Sequence, residues 1–305
     1  MLLTSAAAFL HADSRVVKRF PLAGDPHGIA IGADGTVYVG LAQPQAVVAI
    51  DPHSGAIKRK VILDSAEIAS TKELVTLRTD PAATRLFIAN GSDESATILS
   101  LPNMAVLREI TIEGEAIRDA VPDPKRRYLY VLGRRVHVYD FSGEHELHTL
   151  PVEDPTAIAV SASKIAVFDR TGYTLYDTTN FAAGAHQHLP AAVESAVFVS
   201  NTVLAASHDA LFEITAGNIV RDSICLPNGA GPQITTAASS TLVLFAERPC
   251  AASALAAADR TVTPASLYGV DAYALAYDPS QNVLYTTERA GYLTIYRVPR
   301  VAIPR

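Results

Sequence analysis

Three short apolar runs of a recurring type end in an acidic residue that is followed directly by arginine. These endings are Asp169-Arg170, Glu247-Arg248 and Glu288-Arg289. The planar guanidinium group of arginine binds carboxylates through paired hydrogen bonds, so a cluster of such endings could hold a polar or carboxylate-bearing ligand. The alternative is that acidic and basic neighbours neutralise each other across adjacent structural units.

Histidines offer a second kind of chemistry. His27 is a candidate general base or ligand, or else a hydrogen-bonded residue at the start of a strand. His186-Gln-His188 places two imidazoles on one side of a strand, which is a partial metal site, although we expect it on an outer strand in solvent. No Gly-x-Ser-x-Gly motif is present, so the sequence does not indicate a serine hydrolase of the nucleophile-elbow type. A metal site would need several of these side chains to converge: His27, Glu73, Glu194, His208 and Asp271.

These residues belong to a repeat that runs along the whole chain. Short apolar runs that close on a small or polar residue start 49, 43, 36, 38, 40 and 41 residues apart. A repeat of this length is typical of fold units that stack on one another. The seven runs are Val37–Gly40, Leu86–Asn90, Leu129–Gly133, Ile165–Asp169, Val203–Ser207, Val243–Glu247 and Leu284–Glu288.

Each run is one of four short strands in its unit. In the first unit, a stretch that ends at the Asp34-Gly35 turn precedes the run, while Val47–Asp51 and Ala56–Leu63 follow it. Four strands in about 40 residues indicate a propeller blade. We therefore predict an all-β chain, a single seven-bladed β-propeller over residues 14–305.

Two segments need separate interpretation within this scheme. Ala251–Thr261 favours helix by propensity, but the repeat assigns it to the third strand of the sixth unit. Val16–Leu22 resembles a fourth strand without a blade before it, and the last unit has only three strands, which end with Tyr292–Val298. We expect the N-terminal strand to complete the last blade and close the ring.

In such a ring, the starts of the innermost strands and the ends of the second strands share one face. Ligands of ring-shaped β folds usually bind at this mouth of the central channel. The candidate ligand residues there are His27, Glu73, Arg118, Asp169, Arg170, Glu194, His208, Gln233, Glu247, Arg248, Asp271, Glu288 and Arg289.

The segment Val17–Leu41, followed by Val47–Asp51, resembles one YVTN-type repeat of the bacterial seven-bladed propellers. That superfamily includes the lactonase-like and the quinoprotein amine dehydrogenase-like proteins. The resemblance implies the fold and covers essentially the whole chain. No residues match a lactonase or quinone-cofactor signature, so it implies no catalytic residue and leaves the cofactor unknown.

Composition restricts the partners and the compartment. A net charge of −6 argues against a face that tracks nucleic-acid phosphates, and no later stretch is long and apolar enough to span a membrane. Leu2–Leu10 is an apolar run with a small residue at Ala12, so residues 1–13 resemble the end of a secretory signal without its basic part. We expect a periplasmic or secreted protein, or else merely an apolar terminus.

Two cysteines exclude zinc sites that need three or four thiolates. Cys225 and Cys250 map to the same face of neighbouring blades, so they form either a disulfide or two separate small apolar residues. We expect a monomer that acts as a binding platform for a small polar ligand or a protein. The alternatives are a lactonase-like hydrolase or a lyase at the channel mouth, and an electron-transfer subunit with an exposed apolar patch.

Overall fold

The structure of the protein is a computed structural model, and its described part consists of β-strands and the turns that join them. It describes residues 16–63, 75–91, 94–123, 125–199, 201–207, 210–215, 220–225, 230–236, 242–247, 251–256, 261–268 and 272–298, with only the backbone between 220 and 268. The strands are β1 (Val16–Pro21), β2 (Pro26–Ile31), β3 (Val37–Ala42), β4 (Gln45–Ile50), β5 (Ile57–Ile62), β6 (Val75–Thr79), β7 (Arg85–Asn90), β8 (Ser95–Ser100), β9 (Val106–Thr111), β10 (Asp119–Asp123), β11 (Tyr128–Leu132), β12 (Val136–Asp140), β13 (Glu146–Leu150), β14 (Ala157–Val160), β15 (Lys164–Phe168), β16 (Gly172–Asp177), β17 (Gln187–His188), β18 (Val193–Val199), β19 (Thr202–Ser207), β20 (Ala210–Thr215), β21 (Val220–Cys225), β22 (Ala230–Thr236), β23 (Leu242–Glu247), β24 (Ala251–Ala256), β25 (Thr261–Tyr268), β26 (Ala272–Asp278), β27 (Val283–Glu288) and β28 (Tyr292–Arg297).

The strands of this described part form seven sheets of four antiparallel strands each. The first blade has the order β2-β3-β4-β5, and the following blades run in the same way along the chain up to β22-β23-β24-β25. The last blade has the order β26-β27-β28-β1, in which β1 pairs with β28 from Val16–Tyr296 to Pro21–Tyr292. The innermost strands of successive blades contact one another, and β26 contacts β2. The fold is a single all-β propeller with four-stranded antiparallel blades, which confirms the prediction of an all-β propeller.

The core lies between blades because the sheets whose side chains are described bury both of their faces. One side of the first blade packs against the last blade through Val39, Val48, Tyr285 and Leu293, each at most 1% exposed. Such burial follows from strands that are apolar at nearly every position, as in β3 and β4, rather than at alternate positions. Outer strands are mostly exposed, as in β5 and β9.

In each of the first four blades, the turn between the third and fourth strands holds one residue in the left-handed backbone region. Gly55, Met104, Gly143 and Phe181 occupy this position with φ of 74°, 55°, 71° and 57°. Their side chains differ because the neighbouring blades differ. Met104 and Phe181 fill the gap to the preceding blade themselves.

At the two glycines, the preceding blade fills the same gap. A Cβ on Gly55 would overlap the ring of Phe20, and a Cβ on Gly143 would lie 2.7 Å from Cδ1 of Ile110. Phe20 and Ile110 belong to outer strands, β1 and β9. The glycines therefore allow a close approach that any side chain would obstruct.

Ala251–Ala256 form strand β24, the third strand of its blade, as the repeat predicted against helix propensity. All six residues pair with β23, from Ala251–Glu247 to Ala256–Leu242. A strand that can pair on both sides gains ladder hydrogen bonds, and these outweigh the small intrinsic preference of alanine for helix.

Candidate functional site

The start of each innermost strand lies beside the end of the second strand, as the register shows. In the last blade Ala272 pairs with Glu288, and in the third blade Asp119 pairs with Leu132. The loops that enter the innermost strands and those that leave the second strands therefore share one face. This face, the mouth, carries the candidate residues that the structure describes.

A stack of three side chains marks the mouth where the first and last blades meet. The His27 ring stacks on Tyr273 at a centroid distance of 4.1 Å and an interplanar angle of 17°. The Arg289 guanidinium lies 5.2 Å from the centroid of the same tyrosine ring. His27 is 2% exposed, whereas Arg289 is exposed, so the stack leads from the interior to solvent.

The loop before β2 fixes the position of His27. Asp25 has φ of 57°, and its carbonyl accepts a hydrogen bond of 3.0 Å from the amide of Ala42. The Asp25 carboxylate lies 3.4 Å from Nε2 of His27. The Thr287 hydroxyl of the last blade donates to the His27 carbonyl. These contacts hold the histidine against a carboxylate and an aromatic ring.

Glu288, one of the predicted ligand residues, is engaged inside its own blade. Its side chain is 4% exposed, and Arg19 of β1 lies 2.8 Å from one carboxylate oxygen. The Tyr296 hydroxyl donates to the other oxygen at 2.8 Å. Burial and this carboxylate raise the pKa of Tyr296. Glu288 therefore joins β1 to the last blade.

Asp169 is likewise held by neighbouring groups. It accepts hydrogen bonds from the Thr171 amide and hydroxyl, both at 2.7 Å, and His186 Nε2 lies 3.0 Å from its other oxygen. Burial opposes its ionisation, but these partners outweigh it and lower the pKa of Asp169 below the usual value. Arg170 beside it is exposed.

The third blade contributes Arg118 and, next to it, an ion pair that the sequence did not indicate. The Arg118 guanidinium donates to the carbonyl of Pro155 at 2.8 Å, toward the fourth blade. Arg78 of the second blade binds Asp119 through two hydrogen bonds of 2.8 and 2.6 Å. In the sequence, Arg78 is the one cation of its innermost strand, β6, and this is the signal that could have indicated its ion pair.

The structure describes the remaining predicted residues to different extents. Glu194 lies at the start of β18 and is exposed. Gln233 and Glu247 lie in β22 and β23, and Cys225 ends β21; only their backbone is described. Four predicted ligand residues and one cysteine lie outside the described residues: Glu73, His208, Arg248, Asp271 and Cys250.

The predicted pair of imidazoles lies at the short outer strand of the fourth blade. The rings of His186 and His188 meet edge to face at a centroid distance of 5.1 Å, and His186 faces Asp169. Among the residues that the structure describes, no group of three or more His, Cys, Asp or Glu could hold a metal ion.

A further cluster, which the sequence did not indicate, surrounds His137 in the third blade. Its Nδ1 lies 2.9 Å from Glu146 and its Nε2 lies 3.1 Å from Glu115. Only the imidazolium form can donate to both carboxylates, because a neutral ring has one N–H. Burial and Glu146 raise the pKa of neighbouring Tyr139 to about 12. The cluster joins β12, the outer strand β13 and the loop that leads to Arg118.

The comparisons with known proteins support the fold. No family model matches the chain, and no curated protein matches it. A chain in a crystal structure of the mitotic checkpoint complex is similar over 94% of this chain and 92% of its own, with a TM-score of 0.78 and 13% identity. Virginiamycin B lyase from Staphylococcus aureus is similar over 92% of this chain and 99% of its own, with a TM-score of 0.75 and 12% identity.

The first of these neighbours belongs to a protein assembly and the second is a lyase, so they agree on architecture alone. Within the described part of the chain, no helix has the length and apolar character needed to cross a bilayer. The sequence, the geometry and the comparisons together assign this chain a β-propeller fold whose mouth carries an Arg–Tyr–His stack.

Proposed function

We propose that this protein is an exported, monomeric, seven-bladed propeller that acts as a binding platform through its mouth. Seven four-stranded sheets and the contacts of their innermost strands support the number of blades. The pairing of β1 with β28 supports ring closure by the N-terminal strand. Deletion of residues 14–22 should therefore lower the melting temperature, and an unchanged melting temperature would contradict closure.

The observation that carries the proposed function is the stack of His27, Tyr273 and Arg289. It combines an exposed guanidinium, an aromatic face and an imidazole beside the carboxylate of Asp25. A guanidinium supported on an aromatic ring is oriented to bind a carboxylate or a similar planar anion. The ligand is a small polar molecule or a polar side chain of a protein partner, and it carries a carboxylate.

The test is a thermal-shift screen of the purified protein against carboxylates, lactones, sugars, divalent ions and quinone cofactors. Compounds that raise the melting temperature are then measured by calorimetry on Arg289→Met and Tyr273→Ala. Arg59→Met is the matched control, because Arg59 is also exposed but lies on the outer strand β5 and is not one of the candidate ligand residues. We expect a carboxylate to bind at least tenfold more weakly to the first two variants and normally to the control. Equal affinity for all variants, or no binding carboxylate, would refute the proposal.

A second candidate function is a hydrolase or lyase at the same mouth. The contact of 3.4 Å between His27 Nε2 and Asp25 favours it, since a carboxylate can orient a histidine that acts as general base. One fold neighbour is named as a lyase. Turnover of a lactone or of another screened ligand that is lost in His27→Gln and retained in Arg289→Met would favour the enzyme. Binding without turnover would favour the platform.

Export rests on residues 1–13, whose apolar run resembles the end of a signal segment. The test expresses the full chain in a bacterium with a periplasm and measures its distribution between periplasm and cytoplasm. We expect removal of residues 1–13 to shift the protein to the cytoplasm. An unchanged distribution would refute the export proposal. Size-exclusion chromatography with light scattering tests the monomer.

A further inference from the structure

The outer rim of the ring, formed by the fourth strands of the blades, carries the exposed apolar side chains. Among the described residues, the large apolar side chains with high exposure lie on β1, β5, β9 and β13, the outer strands of four consecutive blades. They are Val16, Val17, Ile57, Ile62, Val106, Leu107 and Leu147. This rim is distinct from the mouth.

The register shows which side chains of β5 face the last blade. Lys60 pairs with Val48 and Ile62 pairs with Ala46. Val48 and Ala46 both belong to the core cluster between the first and last blades. Directly paired residues lie on the same side of a sheet, so Lys60 and Ile62 face the junction of these two blades.

The last blade places a second lysine at this junction. Lys18 of β1 pairs with Ile295, and Phe20 pairs with Leu293. Ile295 and Leu293 belong to the same core cluster, so Lys18 faces the first blade. Its ammonium group donates to the carbonyl of His53, in the turn that precedes β5.

Lys18 and Lys60 differ from a charged pair at another junction in having no carboxylate partner among the described residues. At the next junction but one, between the second and third blades, Arg108 and Glu144 form an ion pair of 3.7 Å. Within the described part of the chain, neither Lys18 nor Lys60 has a carboxylate within 4.0 Å. Two lysines therefore border one junction of a protein whose net charge is −6.

Lys58, the other lysine of β5, is not grouped with Lys18 and Lys60. It lies at the bulge of β5 and interacts electrostatically with Asp34 and Asp51. A bulge, two lysines and an arginine on the outer strand β5 oppose open-ended pairing with another strand. A partner would thus be held by side chains rather than by extension of the sheet.

We propose that the junction of the first and last blades is a docking surface for an acidic peptide segment of a partner protein. Carboxylates of the partner bind Lys18 and Lys60, and its apolar side chains cover Ile57 and Ile62, which are 55% and 56% exposed. The local excess of positive charge selects an acidic partner. On the face of β5 that is directed to the last blade, Lys60 lies between Ile57 and Ile62, so the surface fits acidic and apolar residues in alternation.

The experiment measures fluorescence anisotropy of a labelled eight-residue peptide that alternates glutamate and valine, with the full chain as titrant. We expect saturable binding that weakens at least tenfold in Lys18→Glu/Lys60→Glu and at least threefold in Ile57→Ser/Ile62→Ser. The matched control Lys125→Glu/Arg127→Glu, which alters a turn of the third blade, should bind as the unaltered protein does. Circular dichroism and melting temperature verify that each variant is folded.

Two outcomes would overturn the proposal. One is equal affinity of the peptide for the unaltered protein and for Lys18→Glu/Lys60→Glu, including no binding to either. The other is binding to vesicles of anionic phosphatidylglycerol, lost in the same variant, without binding of the peptide. That second result would assign the surface to a membrane instead of a protein.

Discussion

The ion pair between Arg19 and Glu288 should be a main support of the N-terminal strand in the ring. Arg19→Met removes the cation and keeps a side chain of similar length. Glu288, with a side chain that is 4% exposed, would keep the Tyr296 hydroxyl as its hydrogen-bond donor. The variant also loses the contact of the guanidinium with the Tyr292 ring, whose centroid is 3.8 Å away.

The expected magnitude follows from the asymmetric burial of the pair. Loss of one partner costs about 3–5 kcal/mol when both charges are buried, and an exposed pair contributes about 0–1 kcal/mol. The Arg19 side chain is 47% exposed, so we place the loss at about 2–3 kcal/mol, below the fully buried range. For 305 residues and an unfolding entropy of about 2.1 cal/mol/K per residue, this loss lowers the melting temperature by about 3–5 °C.

The assay is calorimetric or fluorescence-detected melting at neutral pH of Arg19→Met, Glu288→Gln and the double variant. The double variant should be more stable than Arg19→Met, since it removes the unpaired buried charge. The matched control is Arg59→Met, which replaces an exposed arginine on β5. This variant should melt within about 1 °C of the unaltered protein. A melting temperature of Arg19→Met equal to that of the control would refute the reasoning, as would a double variant less stable than both single variants.

Three further predictions concern other parts of the ring. Asp169 has a lowered pKa when folded, so the unfolded chain binds more protons below about pH 4, and stability falls as the pH drops through the folded value. Melting temperatures measured between pH 2.5 and 6 should decline less steeply in Asp169→Asn, and parallel curves would contradict this. Gly143→Ala should cost about 1–3 kcal/mol in urea unfolding, because a Cβ there combines a positive φ with overlap of Ile110. Gly114→Ala, with φ of 77° and open space, should cost less, and equal losses would exclude the overlap. His137→Leu removes one hydrogen-bond donor from each of two carboxylates, Glu115 and Glu146, and should cost about 1–3 kcal/mol in the same assay. An unchanged midpoint would show that the cluster is dispensable.

Strands and turns could be predicted from the sequence because their signals are local. The run Leu284–Glu288 lies inside β27 (Val283–Glu288), and the helix-favouring segment at Ala251 forms the predicted strand. The repeat identified this segment as a strand although helix propensity did not, since equivalent positions in other units show the role of an ambiguous segment.

Side-chain partners could not be predicted, because they depend on contacts between distant parts of the chain. Glu288 is adjacent to Arg289 in sequence, yet its ion pair is with Arg19, 269 positions away. Tyr273 received no role from the sequence, although its ring stacks on that of His27 and its centroid lies 5.2 Å from the Arg289 guanidinium. The pattern of a strand shows which face is buried but not which residue of the next blade lies opposite.

The left-handed turn residues between third and fourth strands have a consequence for the evolution of the ring. Where Gly55 stands, the preceding blade supplies Phe20, and where Met104 stands, the turn itself fills the gap. Exchange of these two blades would oppose Met104 to Phe20 at one junction and would leave a void at another. The blades are therefore not modular parts, and a duplicated or shuffled blade would need compensating changes in its neighbours before the ring could close.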